Sequence, residues 1–210
     1  MSLVNYLVSI GYLKTPKIIE AFSNIKRADF LPEDLKDLCD IDEALPIGFG
    51  QTISQPSVVA FMLELLSPEE GDKILDVGSG SGWTTALLAY CVSSKRNSKK
   101  GGKVVAIERI PELKSFGEKN VAKYNFIEKG KVEFVLGDGS KGYLKEAPFD
   151  KILVSASADS PPEALKKQLK IGGRLVIPIL NSIWLLEKKS EKEFKVHKFP
   201  GFVFVPLIED

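Results

Sequence analysis

Between residues 73 and 179 the chain alternates short, almost unbroken apolar runs with helical stretches, and this rhythm restricts the fold more than any other feature. Residues 73–77, 104–108, 132–136, 151–155 and 174–179 read as strands, and 83–92, 111–124 and 161–169 as helices. A strand that is apolar at successive positions, rather than at alternate ones, has to be covered on both faces. Strands of that kind separated by helices make a mostly parallel sheet. The expected fold is therefore α/β, a Rossmann-like doubly wound sheet with helices on both faces. Residues 184–188 and 194–198 should close it as a hairpin, and 201–207 are expected to form a last strand. The order of strands is not written in this pattern.

The preceding segment has a different texture and predicts a helical N-terminal extension. Residues 4–10 are apolar-rich and end at Gly11. Thr15 then stands as a cap before Pro16, with Ile18, Ile19, Phe22 and Ile25 at helical spacing. Pro32 ends that helix, and 44–56, rich in Gly, Pro and Gln, reads as loop. A further helix should bury Val58, Val59, Phe61, Met62, Leu65 and Leu66. With 210 residues and 44% hydrophobic content, the expectation is a single domain over 1–210. Residues 1–56 would form the extension with its Gly-, Pro- and Gln-rich loop, and 57–210 the α/β core.

A formal net charge of +1 supplies no overall field for a polyanion. Lys95, Arg96, Lys99, Lys100 and Lys103 cluster, but no aromatic residue interleaves them for base stacking. They read as a solvated loop, not a nucleic-acid interface. Cys39 and Cys91 lack CxxC spacing and read as reduced thiols of a cytoplasmic protein. His197, the only histidine, argues against histidine-held metal and against a serine–histidine triad, so no metal is expected. No run is long and apolar enough to predict a membrane span.

The first strand of the alternating region ends in Asp76-Val77-Gly78-Ser79-Gly80-Ser81-Gly82. Glycines let backbone approach a ligand at the carboxyl edge of a doubly wound sheet. The spacing is Gly-x-Gly-x-Gly, unlike the Gly-x-Gly-x-x-Gly of dinucleotide sites. Acidic residues stand at three successive strand ends, Asp76, Glu108 and Asp138. Three carboxylates repel a phosphate-rich cofactor but suit one with an amine, ribose hydroxyls and a sulfonium cation. The combination predicts S-adenosylmethionine, with S-adenosylhomocysteine as product.

The fourth strand ends in Ser155-Ala156-Ser157-Ala158. It lacks the acidic or Asn residue with prolines and an aromatic expected for amine methylation, and the cysteine expected for carbon methylation. No general base for an alcohol or amine is evident. A carboxylate acceptor needs none, because its pKa of about 3.5–4 leaves it ionised at neutral pH.

The run Leu45-Pro-Ile-Gly-Phe-Gly-Gln-Thr-Ile-Ser-Gln-Pro56 resembles the Gly-Gln-Thr-(Ile/Val)-Ser-x-Pro signature of protein-L-isoaspartate O-methyltransferases. Ile25-Lys26-Arg27-x-x-Phe30-Leu31-Pro32 is similar to that family's N-terminal Val-Pro-Arg-x-x-Phe-Val-Pro. Gly137-Asp138-Gly139, Pro148-Phe149-Asp150, Gln168-Leu169-x-x-Gly172-Gly173 and Phe204-Val205-Pro206-Leu207 follow in the family's order, so that the likeness spans roughly 15–207. The chain departs from the family at Asp40, where an aromatic or histidine is usual, in the lysine-rich loop, and at 155–158.

The resemblance implies methylation of L-isoaspartyl residues in damaged proteins and peptides. It implies Ser54 as the hydroxyl beside the acceptor carboxylate, and Thr52 and Ile53 beside the methionine part of the cofactor. Asp76, Gly78, Ser79 and Gly80 would line the amino-acid moiety, Glu108 the ribose, and Asp138 with Gly139 the adenine. Pro56, Val205 and Pro206 would border the peptide. Read as a bare serine, Ser54 is a cap for the helix starting near Pro56, and Trp83 is core packing. A same-fold methyltransferase acting on a small carboxylate or an RNA, and a cofactor-binding module without catalysis, remain alternatives. No oligomeric state follows from these residues.

Overall fold

The computed structural model describes residues 2–93 and 101–209. The cluster Lys95, Arg96, Lys99 and Lys100 lies outside the described residues. The chain begins with helices Leu3–Ser9 (α1) and Pro16–Asn24 (α2), two short 3-10 turns, and a hairpin of strands Leu45–Gly48 (β1) and Gln51–Ile53 (β2). Helix Pro56–Leu66 (α3) leads into Lys73–Val77 (β3), Trp83–Val92 (α4), Lys103–Glu108 (β4), Pro111–Ala122 (α5) and Val132–Leu136 (β5). Phe149–Val154 (β6), Glu163–Gln168 (α6), Leu169–Ile179 (β7), Ser182–Lys188 (β8) and Phe194–Pro200 (β9) complete the order.

The strands from β3 onward form one sheet in the order β5-β4-β3-β6-β7-β8-β9. The first five are mutually parallel, and β8 and β9 are added antiparallel. The chain winds outward from β3 to β5, then returns to β6 on the other side of β3 and winds away from it to β7. Parallel crossovers are right-handed, so reversing the winding direction moves the crossover to the opposite face. One core cluster accordingly joins Ile74, Val104, Leu153 and Val176 of the sheet to α1–α5. The other joins Leu75, Val105, Ile152 and Leu175 to Leu165 of α6 and to Tyr143 and Ala147 of the crossover before β6. Alternate residues of each central strand serve opposite faces, which is why these strands are apolar at every position.

The extension packs as part of the same core rather than beside it. Leu7, Ile18, Phe22, Phe30 and Ile53 share the cluster with Trp83 and Leu87 of α4. Thr15 is the N-cap residue of α2, but its hydroxyl makes no cap bond; it donates to Glu64 Oε2 at 2.7 Å, tying α2 to α3.

Two expectations are corrected. The segment read as loop before Pro56 contains the β1–β2 hairpin, whose tip carries three successive left-handed residues, Gly48 (φ 91°), Phe49 (54°) and Gly50 (69°). Residues 201–207 are not a strand of the sheet. Gly201 (φ 99°) turns the chain away after Pro200, and the segment crosses back to meet Ser157 through an isolated parallel bridge at Pro206.

Candidate active site

The turn after β3 is shaped by its contact with α5. Gly82 has φ 85°, and a Cβ on it would stand 2.8 Å from the carbonyl oxygen of Gly117; a Cβ on Gly117 would meet Gly80 O at 2.7 Å. Two side-chain-free positions thus let helix and turn backbones touch. Asn120 of α5, buried, donates to Ser81 O at 3.1 Å. Backbone packing and this bond hold the turn against α5.

Glu108 emerges beside it. Strand register pairs Asp76 with Ala106, so Glu108 stands two residues farther along, at the sheet's carboxyl edge. Its Oε2 accepts from Gly80 N at 2.9 Å, and its Oε1 accepts from Arg109 N at 2.9 Å and Ile110 N at 3.0 Å. A carboxylate offers about four acceptor positions, so three backbone bonds aim it while leaving capacity for a ligand hydroxyl.

Asp76 occupies a deeper layer. It is fully buried, Thr85 Oγ1 donates to its Oδ2 at 2.6 Å, and Oδ1 has no partner among the described residues. Burial, with a smaller push from Glu108, raises its pKa to about 7 against the opposing Thr85 bond. Asp138 caps a short 3-10 turn, its Oδ1 accepting from Ser140 N at 2.9 Å and Ser140 Oγ at 2.7 Å. The three strand-end carboxylates therefore do not converge. Glu108 lines the cleft, whereas Asp76 is tied to Thr85 of α4 and Asp138 braces the turn after β5.

The cleft along this edge is partly open to solvent, with about 880 Å³ of empty space when the open mouth is included. It brings together Thr52, Ile53 and Ser54 with Gly78, Ser79, Gly80, Glu108 and Gly139, and with Val205 and Pro206. Asp76, Asp138 and Pro56 do not line it; Pro56 is the buried first residue of α3. Arg109, Ile110, Ser155 and Ala156 do, and sequence reasoning did not single them out as site residues. The position of Ile110, two residues after the strand-end acid, was the available signal for an apolar wall there. Trp83 is both core and cleft wall: it is 2% exposed and packs edge-on against Phe22.

Among the described residues, two buried polar atoms of the cleft wall, Ser79 Oγ and Trp83 Nε1, have no hydrogen-bond partner. Buried polar groups are nearly always paired. With a strand-end carboxylate and a glycine turn beside them, the donors fit a polar ligand bearing hydroxyl and amino-acid groups, as S-adenosylmethionine does.

Ser54 is not a cap. The N-cap residue of α3 is Gln55, which makes no side-chain cap bond, and the helix's free N–H at Ser57 instead donates to Asp42 Oδ1 at 2.8 Å. Because Asp42 takes that task from across the loop, the Ser54 hydroxyl is left to the cleft. The same loop is anchored by Arg27, which is 5% exposed. Its Nη1 donates to Cys39 O (3.2 Å) and Ile41 O (3.0 Å), and its Nη2 to Glu43 O (2.7 Å) and Ser54 O (3.4 Å). The guanidinium carbon lies 5.4 Å from the Trp83 ring centre, and burial lowers its pKa to about 10. Arg27 is thus wedged between the acceptor loop and the cleft wall. Among the described residues no cluster of His, Cys, Asp and Glu could hold a metal, and no helix is long and apolar enough to cross a membrane.

Comparison with known proteins decides the family. The model of protein-L-isoaspartate(D-aspartate) O-methyltransferase matches residues 1–210. The chain belongs to this family. It is 45% identical over 210 residues to the protein-L-isoaspartate O-methyltransferase of Methanopyrus kandleri, spanning 98% of this chain and 89% of that protein. The Pyrococcus abyssi relative of the same name is 43% identical over 210 residues, with 98% and 92% covered. A solved Plasmodium falciparum protein assigned to this methyltransferase, in complex with S-adenosyl-L-homocysteine, superimposes with a TM-score of 0.87 at 25% identity, covering 99% of this chain and 97% of that one. A second solved protein-L-isoaspartate O-methyltransferase gives 0.84 at 27% identity, covering 97% and 64%.

Proposed function

We propose that this family member transfers a methyl group from S-adenosylmethionine to the free α-carboxylate of L-isoaspartyl residues in damaged proteins and peptides, within the cytoplasm, as one domain over residues 1–210. The observation that carries the reading is a single cleft joining Ser54 and Val205 to Gly78, Ser79 and Glu108. It gives an acceptor loop and a cofactor turn one shared volume. When bound, S-adenosylmethionine supplies the electrophilic methyl and takes the departing electron pair on sulfur.

The protein's own tasks are binding and placement. Glu108, aimed by Gly80, Arg109 and Ile110 N–H groups, accepts a ribose hydroxyl. Gly78, Ser79 and Gly80 hold the amino-acid end, Thr52 and Ile53 flank it, and the loop of Asp138 and Gly139 supports the adenine. Ser54 donates to the acceptor carboxylate, which is already ionised and needs no base. Val205 and Pro206, which line the cleft, border the substrate backbone. Anion and sulfonium neutralise each other along the reaction, so excluding water favours the transition state. In-line placement at about 3 Å supplies the rest. The backbone nitrogen of the following residue then attacks the methyl ester and expels methanol, and water reopens the resulting succinimide partly to ordinary aspartate, which begins repair.

The test uses two peptides identical except for isoaspartate or aspartate at one position, with methyl-tritiated cofactor. Label should enter the isoaspartyl peptide alone, because one extra backbone methylene moves the free carboxylate relative to the sulfonium. Equal labelling would overturn the repair assignment.

A further inference from the structure

The winding direction of the sheet reverses between β3 and β6, which are neighbours in it. Loops leaving their carboxyl ends diverge, and the crevice between them is where open α/β sheets hold ligands. The first residue beyond β3 is Gly78, and the first beyond β6 is Ser155. Ser155 N donates to Val77 O at 2.9 Å, which locks the two strand ends together. A Cβ built on Gly78 would stand 3.9 Å from Ser155 Cβ, so the serine side chain borders the glycine turn within the cleft.

Two residues farther on, Ser157 holds the C-terminal segment. Its N–H donates to Val205 O at 2.8 Å, and its carbonyl accepts from Leu207 N at 2.7 Å. Residues 155–157 thus bridge the cofactor turn and the segment that borders the peptide. Ser157 Oγ is engaged with Leu180 O at 3.2 Å. The Ser155 hydroxyl has no hydrogen-bond partner among the described residues, and Ser155 lines the cleft.

An acceptor carboxylate reacts through one oxygen, and a single donor at Ser54 leaves it free to rotate. A carboxylate presents about four acceptor positions, so a second donor from a different element fixes its plane. We propose that Ser155 is a second catalytic hydroxyl, donating to the acceptor carboxylate together with Ser54 and so setting the attacking oxygen in line with the methyl. The inference rests on the carboxylate-methylation reading above. In the step, a carboxylate lone pair forms the O–C bond while the methyl–sulfur pair leaves with sulfur; Ser155 keeps its proton throughout.

The experiment compares wild type, Ser155→Ala, Ser155→Thr, Ser54→Ala and the double alanine variant. Methyl transfer to an isoaspartyl peptide, calorimetric affinity for S-adenosylhomocysteine and melting temperature are read on each. Ser155→Ala should lower kcat/KM about 10-fold, the scale of one charge-assisted hydrogen bond, with S-adenosylhomocysteine affinity and melting unmoved. Ser155→Thr should restore most of the rate, since it keeps the hydroxyl. Because both serines hold one carboxylate, the double variant should lose less than the product of the single losses. Unchanged kcat/KM in Ser155→Ala overturns the proposal. So does a matching loss of S-adenosylhomocysteine affinity, which would put the hydroxyl on the cofactor, or a threonine variant no better than alanine. A wild type that labels no isoaspartyl peptide overturns the functional reading itself, whatever Ser155 does.

Discussion

Replacing Asp76 by asparagine should stabilise this protein at pH 8 and do nothing of the kind near pH 4. Asp76 is fully buried, with Thr85 on Oδ2 and, among the described residues, nothing on Oδ1. Burial first, and Glu108 second, raise its pKa from 3.8 to about 7. The folded carboxyl therefore holds its proton more tightly than the unfolded one. The stability this lends is complete below about pH 4, drains away as pH rises through about 7, and is gone above it. At 1.36 kcal/mol per pKa unit, roughly 4 kcal/mol separates the two limits. The amide of Asp76→Asn retains an acceptor for Thr85 but buries its NH₂ without a partner, a cost of about 1–2 kcal/mol. The variant should gain about 2–3 kcal/mol at pH 8, equivalent to roughly 4–12 °C in Tm for a chain of this size. Near pH 4 that gain should vanish or reverse. Urea unfolding of both proteins at several pH values between 4 and 8 measures it. A stability difference that is the same at every pH, or a variant less stable at pH 8, would falsify the assignment of a penalised buried carboxylate.

Three further outcomes follow from the cleft. Glu108→Ala should weaken S-adenosylhomocysteine binding by ~1.5–3 kcal/mol, the range for hydrogen bonds to a charged group; equal affinities by calorimetry would place the ribose elsewhere. Ser54→Ala should slow methyl transfer about 10- to 100-fold while unfolding free energy stays within ~0.5 kcal/mol, because Asp42, not Ser54, caps α3. A stability loss with full activity per folded molecule would restore the cap reading. Arg27→Met deprives three closely bonded carbonyls of their donor and should cost about 2–4 kcal/mol. Peptide KM should rise in the same variant as the Ser54 carbonyl loses its tether, and an unchanged melting curve would refute the anchoring role.

Much of this molecule was legible in the chain because the responsible forces are local. Strands apolar at successive residues demand two covered faces, and Gly78-x-Gly80-x-Gly82 demands a tight turn at a strand end. Both follow from neighbours in sequence, as does the β8–β9 hairpin. The acceptor motif at 51–54 was visible as a string of residues. What no local pattern could settle was direction and depth. Asp76, Glu108 and Asp138 look equivalent as strand-end acids, yet parallel register sinks Asp76 one layer below the edge, where Thr85 takes it. Ser140 turns Asp138 into a loop brace. Ser54 reads as a helix cap until Asp42, fifteen residues from Ser57, is seen to occupy that N–H. Arg27 belongs to a recognisable motif, but its carbonyl partners lie 12 to 27 residues away. Residues 201–207 carry strand-like composition, and only the left-handed turn at Gly201 sends them across to Ser157. Covalent neighbours determine which elements form. Which side chains meet at the cleft is decided by strand order and by buried polar groups finding partners far away in the chain, because a buried donor or acceptor has to be satisfied by whatever the closed fold brings to it.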